Sequence, residues 1–239
     1  MVMKVNNCIH FIQNLLYPRD CLLCGAAGDF EHHLCPPCQR RLPFNLHACP
    51  GCALPLPPEV PASQLCGRCI RRSAEITRTI TAMTYQPPVN RLIGMLKFHN
   101  RLHLVEPLAG LLIERLGEDY DRPDLLIPVP LHPVRLRERG FNQSVEIARV
   151  LARRCGLSHD WRLCRRIKHT PPQAELNREA RRKNLHRAFE ICADLSGSHL
   201  VVVDDVITTG ATVAELGRLL KKAGAKRVDA WALARTSIS

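Results

Sequence analysis

The sequence predicts an α/β protein, with a mostly parallel sheet flanked by helices in its carboxyl-terminal two-thirds and a small cysteine-rich module in front. Three observations lead there. Strand-like and helix-like segments alternate from Ile76 onward, as they do where crossover helices join parallel strands. The stretch from Leu200 to Leu216 reads strand, turn and helix without a break. Eight of the twelve cysteines fall into Cys-x2-Cys pairs, all before residue 70. A chain of 239 residues holds one ordinary domain of about 100 to 150 residues plus an accessory module. The expected division is 1–72 for an amino-terminal helix and the Cys-rich module, and 73–239 for the α/β domain.

Composition narrows the function classes. The 46% hydrophobic content is that of a globular protein, and no apolar run approaches the roughly 20 residues of a membrane span. The opening stretch from Cys8 to Tyr17 is too short for a signal peptide and lacks a small-residue cleavage site, so a cytoplasmic location is expected. Lys and Arg outnumber Asp and Glu by 34 to 22, a balance that attracts polyanions such as phosphorylated ligands or nucleic acid. The basic residues concentrate at Arg135 to Arg139 and Arg162 to Arg187, which points to local anion contacts rather than a uniformly solvated surface.

The cysteine pairs are Cys21 and Cys24, Cys35 and Cys38, Cys49 and Cys52, Cys66 and Cys69. A Cys-x2-Cys turn brings two thiolates to one tetrahedral ion, and two such turns close a structural zinc site, so four pairs imply two Zn²⁺ ions. The spacing permits sequential ribbons, the simplest arrangement, and also a cross-braced pairing. A disulfide framework is the rival, but this pattern fits a reducing compartment better. Prolines scattered through the segment limit helix and sheet, leaving metal to supply the folding free energy. Cys8, Cys155, Cys164 and Cys192 stand outside this pattern and are expected as small buried hydrophobes. His32 and His33 lie between two knuckles and are expected at the surface.

In the α/β part, Ile76 to Tyr85 alternates as a strand, and Val89 to Leu116 reads as two helices interrupted near Asn100. Leu125 to Val129 is the next strand, followed by an arginine-rich loop and a helix from Phe141 to Cys155. The segment from Arg165 to Phe189 is charged and short of core residues, which predicts a mobile loop or hood able to exclude water from a bound ligand. Leu200 to Val203 is continuous and apolar, as in a strand buried on both faces. Val213, Leu216, Leu219, Leu220 and Ala223 recur at helical spacing before Gly224, where a helix stop belongs. Val228 to Ala234 completes the sheet.

Between that strand and helix lies the chemistry. Thr208 to Thr212 occupies a helix amino terminus, where free amides and the helix dipole favour a phosphate and Gly210 permits close backbone approach. No Gly-Lys-Ser/Thr follows, and a single glycine is no dinucleotide fingerprint. Asp204 and Asp205 stand at the carboxyl end of the strand, the edge where open α/β sheets bind ligands, and carboxylates beside a phosphate loop suit sugar hydroxyls. Together these features describe a ribose 5-phosphate site.

The string VVVDDVITTGAT resembles the signature of type I phosphoribosyltransferases. That resemblance implies that Asp204 and Asp205, as the catalytic pair, contact the ribose 2- and 3-hydroxyls of phosphoribosyl pyrophosphate directly or through Mg²⁺. It implies that Val206, Ile207, Thr208, Thr209, Gly210, Ala211 and Thr212 wrap the 5-phosphate. The loop after Val129 would cradle the pyrophosphate, with Arg135, Arg137 and Arg139 supplying charge and Gly140 a close approach; the planar guanidinium binds phosphate oxygens in pairs. With the four knuckles, PLHPVRLRERGFNQS and RRIKHTPPQAELNREARRKNL, the chain is similar over nearly its whole length to the ComF family, which includes ComFC and GntX. Membership implies a type I phosphoribosyltransferase fold behind a double zinc-ribbon module, and a role in DNA uptake during competence or in use of DNA as a nutrient. Three activities fit: a phosphoribosyltransferase whose acceptor has no visible recognition motif, a non-catalytic module that holds single-stranded DNA beside the DNA-uptake machinery, and a phosphoribosyl-pyrophosphate sensor. Aromatic residues at 5% give few platforms for base stacking and weaken the second.

Overall fold

The computed structural model describes residues 20–28, 30–71, 75–168, 185, 187–191 and 193–237. The chain forms two compact units that meet in sequence between Leu42 and Pro43. This division falls inside the segment read as the Cys-rich module, and the second pair of knuckles belongs to the larger unit.

In the smaller unit, two tight turns carry the first four ligand-type cysteines. Gly25 N–H donates to Cys21 O at 2.8 Å, and Gln39 N–H to Cys35 O at 2.9 Å. The second turn opens a one-turn helix, Pro36–Arg40, with Pro at its first position, where a missing N–H is not felt. His32 is buried, contrary to its expected surface position. The cause is local: His33 O accepts from Leu22 N–H at 2.9 Å, which folds the Glu31–His33 turn back onto the first knuckle.

The larger unit is built on a parallel sheet in the order β1-β6-β5-β2, from Thr79–Thr84 (β1), Leu125–Pro128 (β2), His199–Ile207 (β5) and Arg227–Arg235 (β6). The two strands between β2 and β5 in sequence, Cys164–Arg166 (β3) and Phe189–Ile191 (β4), pair antiparallel as a separate ribbon. The expected pair of helices is present as Val89–Phe98 (α1) and Val105–Leu116 (α2), and Asn100, with φ 51°, marks the break between them. Two further helices follow β2, Pro133–Arg139 (α3) and Gln143–Cys155 (α4), and Ala211–Lys222 (α5) follows β5.

Strand alternation sorts the core. Ile127, Leu200, Val202, Val228 and Ala230 share one cluster with Val213, Leu216 and Leu220 of α5. α2 and α4 pack on each other and on the sheet. β5 and β6 are buried along almost their whole length, which is why they read as unbroken apolar runs. Helix α5 approaches the segment before β1 very closely: a Cβ at Gly217 would stand 2.7 Å from Glu75 O. Gly217→Ala is therefore expected to cost about 1–3 kcal/mol from overpacking, outweighing the roughly 1 kcal/mol of helix propensity that Ala adds. A lowered urea midpoint would register it.

One further expectation needs correction. The arginine-rich segment after β2 is a helix rather than a loop: Pro133 sits at its start, His132 Nδ1 accepts from Val134 N–H at 3.3 Å, and Gly140 ends it in the left-handed region at φ 81°. The hood read from Arg165 to Phe189 begins and ends in the β3–β4 ribbon, while its residues 169–184 lie outside the described residues. Of the remaining cysteines, Cys164 is buried as expected and Cys155 only half-buried; Cys8 and Cys192 lie outside the described residues.

The knuckle at Cys49 and Cys52 covers the free edge of β1. Thr79 N–H donates to Pro50 O at 2.8 Å and Thr79 Oγ1 to Gly51 O at 2.9 Å, while buried Asn45 ties Ala53 O to Thr81 Oγ1. A strand edge left open would template unwanted pairing; here it is closed by the metal-type module.

Candidate functional site

The carboxyl ends of β5 and β2 lie side by side, the edge at which parallel sheets take ligands. Near the end of β5, Asp204 Oδ1 accepts from Ser144 Oγ at 3.2 Å and from Asp205 N–H at 2.9 Å. Ser144 stands there because Asn142 caps α4, accepting from Ser144 N–H, and anchors the cap by donating to Val129 O at 3.0 Å. Asp205 is buried and pairs with Lys97 of α1, Nζ to Oδ2 at 2.9 Å.

The electrostatics divide the two acids into distinct roles. Burial, reinforced by the adjacent Asp205 carboxylate, pushes Asp204 up to about 7, against the lowering influence of Lys97 and Ser144. Burial works to lower Lys97, yet Asp205 and then Asp204 overcome it and hold the ammonium above its ordinary value. Lys97 and Asp205 form an ion pair, and the Asp204 carboxyl beside them is held up at about 7.

Two arginines, Arg139 and Arg166, lie within electrostatic reach of this pair. Arg139 donates to Gln143 Oε1 at 2.6 Å and lies over the exposed Phe98 ring, 5.6 Å from its centroid. Burial lowers its guanidinium, Asp205 raises it and Arg135 lowers it further. Arg166 of β3 is likewise lowered by burial first and by Arg135 next, with Asp204 opposing. Arg135 and Arg139 are half-buried in this field, whereas Arg137 is exposed on the last turn of α3. Beyond β5, Thr208, Thr209 and Gly210 lead into α5, with Gly210 left-handed at φ 79° and Thr209 Oγ1 accepting from Ala211 N–H.

Sequence reasoning misses Lys97, Ser144 and the capping Asn142. Arg166 falls within a basic stretch read only as part of a hood. No local signal marks Lys97, a lysine in an amphipathic helix; its role exists only through the tertiary contact with Asp205.

The eight paired cysteines assemble as two sequential sets, Cys21, Cys24, Cys35 and Cys38 in the smaller unit and Cys49, Cys52, Cys66 and Cys69 in the larger, each with its sulfurs within 4.8 Å of one another. Sulfurs bound tetrahedrally to zinc at about 2.3 Å lie about 3.8 Å apart. Cys24 and Cys35 Sγ are 3.7 Å apart, and Cys52 and Cys66 Sγ 3.6 Å. Cys66 N–H also donates to Cys49 Sγ at 3.2 Å. Both sets therefore have the donors and dimensions of a structural zinc site, and the pairing is not cross-braced.

Residues 12–70 match the double zinc ribbon domain and residues 137–238 the phosphoribosyl transferase domain. Over 221 residues the chain is 36% identical to the DNA utilization protein YhgH of Salmonella typhimurium, spanning 90% of each chain. It is 32% identical over 181 residues to competence protein F of Haemophilus influenzae, spanning 72% of this chain and 79% of that one. The chain belongs to the ComF/YhgH family. Its α/β unit carries a phosphoribosyl transferase domain that includes Asp204, Asp205 and the loop through Thr212. Among solved structures it resembles a purine phosphoribosyltransferase from Pyrococcus horikoshii, at 20% identity and a TM-score of 0.36 over 56% of this chain and 77% of that one.

This ComF-family chain has an open groove of about 770 Å³, lined by residues that include Leu136, Phe141, Arg149, Trp161 and Arg165. Arg162 lies over the Trp161 ring, 4.9 Å from its centroid. Among the described residues, no helix is long and apolar enough to cross a membrane.

Proposed function

We propose that this ComF-family protein binds phosphoribosyl pyrophosphate with Mg²⁺ and transfers its phosphoribosyl group to an acceptor, in the service of DNA uptake or use. The observation that carries this reading is the acid pair at the end of β5, set between a phosphate-type loop and a group of cations. Asp204 and Asp205 face the ribose hydroxyls, Val206 to Thr212 hold the 5-phosphate, and Arg135, Arg139 and Gly140 receive the pyrophosphate, joined by Lys97 and Arg166. Arg137, on the outer turn of α3, contributes long-range charge. Carboxylate oxygens are hard donors suited to Mg²⁺, and Asp204 is only partly buried. When bound, Mg²⁺ neutralises charge on the pyrophosphate; the arginines and Lys97 stabilise the negative charge that builds there as the C1–O bond lengthens. Zinc fills both four-cysteine sets, and eight unbridged thiols in metal-type sets support a reducing, cytoplasmic location. Pyrophosphate released from phosphoribosyl pyrophosphate only when nucleobases or DNA fragments are added would support transfer; release that ignores every acceptor would oppose it.

The charge state of Asp204 gives a pH prediction. A carboxyl raised in the folded state stabilises the fold fully below its unfolded value, and that contribution is lost as pH rises through about 7. Ligand affinity runs the other way, because the magnesium complex favours the carboxylate. Affinity should therefore rise between about pH 6 and pH 8, with proton release on binding. Calorimetry in two buffers of different ionisation enthalpy measures that proton, and Asp204→Asn should remove it after the ligand's own titration is subtracted.

The groove beside Trp161 favours a second activity, the holding of single-stranded DNA. Trp161 is half exposed and Arg149, Arg162 and Arg165 lie around it, so bases have a stacking platform beside cations. If the groove binds single-stranded DNA through about six phosphates, affinity falls by about 300-fold between 50 and 200 mM salt. A Trp161→Ala variant that binds single strands as well as the parent would oppose this reading.

A further inference from the structure

We propose that Arg235 and Arg68 are positioning residues that fasten the phosphate loop to the Cys49, Cys52, Cys66 and Cys69 centre, so that metal held there and an anion held by the loop stabilise each other. The anion half of this inference rests on the phosphate-loop reading above.

Arg235 ends β6 and is 1% exposed. Apart from one to Thr236 Oγ1 at 3.4 Å, its hydrogen bonds run to main-chain carbonyls of separate segments. Nη1 donates to Ile207 O at 2.9 Å, to Thr208 O and to Thr236 O at 3.0 Å, while Nε donates to Cys52 O at 2.9 Å. Thr236 Oγ1 adds a bond to Thr208 O at 3.2 Å. Arg68 lies between Cys66 and Cys69, and its Nη2 donates to Thr209 O at 3.4 Å. A rigid fork of donors is what such a junction needs; a lysine ammonium cannot span the same acceptors.

The consequence for the loop follows from peptide geometry. In a trans peptide the N–H points away from the preceding C=O. With the carbonyls of Ile207, Thr208 and Thr209 drawn to the arginines, the amides of Thr208, Thr209 and Gly210 are turned the other way. None of the three has a backbone partner among the described residues. Successive amides directed to one side make an anion-binding concavity. Charge also matches: zinc with four thiolates carries about two negative charges, and both arginines stand beside it. If the metal leaves, the knuckle no longer fixes the backbone that carries Arg68, so Thr209 O loses its fixed donor, and the Arg235 guanidinium that holds Ile207 O and Thr208 O loses its anchor at Cys52 O.

Binding linkage is reciprocal, with couplings of about 5- to 150-fold. Using the full chain loaded with two zinc ions, zinc transfer to a chromogenic chelator is timed with and without phosphoribosyl pyrophosphate and Mg²⁺. The ligand is expected to slow the loss of one of the two zinc ions by about tenfold. In Arg68→Ala this protection should fall below about twofold at unchanged zinc content, and Arg68→Lys should restore part of it, since one donor suffices at Thr209 O. Equal protection in Arg68→Ala, or none in a parent protein that binds the ligand, overturns the proposal. If the parent binds no phosphoribosyl pyrophosphate, the ligand reading has failed on its own. Hydrogen exchange then decides the coupling: zinc removal should speed exchange of the Thr208 to Thr212 amides in the free protein, and unchanged exchange rejects it.

Discussion

Replacing Asp204 and Asp205 together by Asn is expected to weaken magnesium-dependent binding of phosphoribosyl pyrophosphate by at least about 100-fold, because each hydrogen bond to a charged group contributes about 1.5–3 kcal/mol. The change is nearly isosteric and preserves the hydrogen bond from Ser144 Oγ to position 204 through the amide oxygen. Its stability effect is separable from its binding effect. Asp205→Asn strands the Lys97 ammonium, whose side chain is only 21% exposed. Stranding one partner of a buried pair costs about 3–5 kcal/mol, and the remaining access to water reduces this to about 1–3 kcal/mol. Adding Lys97→Met should recover most of that stability without recovering binding. Urea titration followed by circular dichroism, run beside calorimetry, distinguishes the two effects.

Loss of metal from the second cysteine set is expected to act on the whole larger unit. Cys49, Cys52, Cys66 and Cys69 lie in the same unit as the sheet, and their knuckle closes the β1 edge through Pro50 O and Gly51 O. In zinc-finger peptides metal binding contributes about 10–16 kcal/mol to folding. A third of that, about 3–5 kcal/mol, corresponds to roughly 10 °C in melting temperature for a unit of this size. Cys49→Ser with Cys66→Ser should therefore lower the sheet unit's transition by about 10 °C or more, and should expose β1 to pairing with other chains. Calorimetric scans with light scattering test both; an unchanged transition would separate the ribbon from the stability of the sheet.

The parts of this molecule legible in its sequence are those with local or periodic causes. Strand β5 stands out because both its faces are buried, α5 because Val213, Leu216 and Leu220 repeat at helical spacing, and the zinc-type sets because two residues separate each pair of thiols.

What stays hidden depends on contacts between distant parts of the chain. Lys97 and Arg235 carry no motif of their own; each matters because burial beside Asp205 or beside the Ile207 and Thr208 carbonyls gives its charge a fixed partner. The helix α3 is legible in principle, since Pro133 and Gly140 bracket it as first-turn and stop residues, but the density of arginine between them favours reading a loop. The polarity of His32 alone points to the surface, and the turn that buries it is set by a backbone bond to Leu22.

The most direct test is calorimetric titration of the zinc-loaded protein with phosphoribosyl pyrophosphate, with and without Mg²⁺. One saturable site that requires Mg²⁺, and that is lost in the Asp204→Asn, Asp205→Asn variant, is the predicted result. No binding by a folded protein with both zinc ions in place would contradict it, removing the transferase and sensor activities together and leaving the groove beside Trp161 as the remaining functional surface.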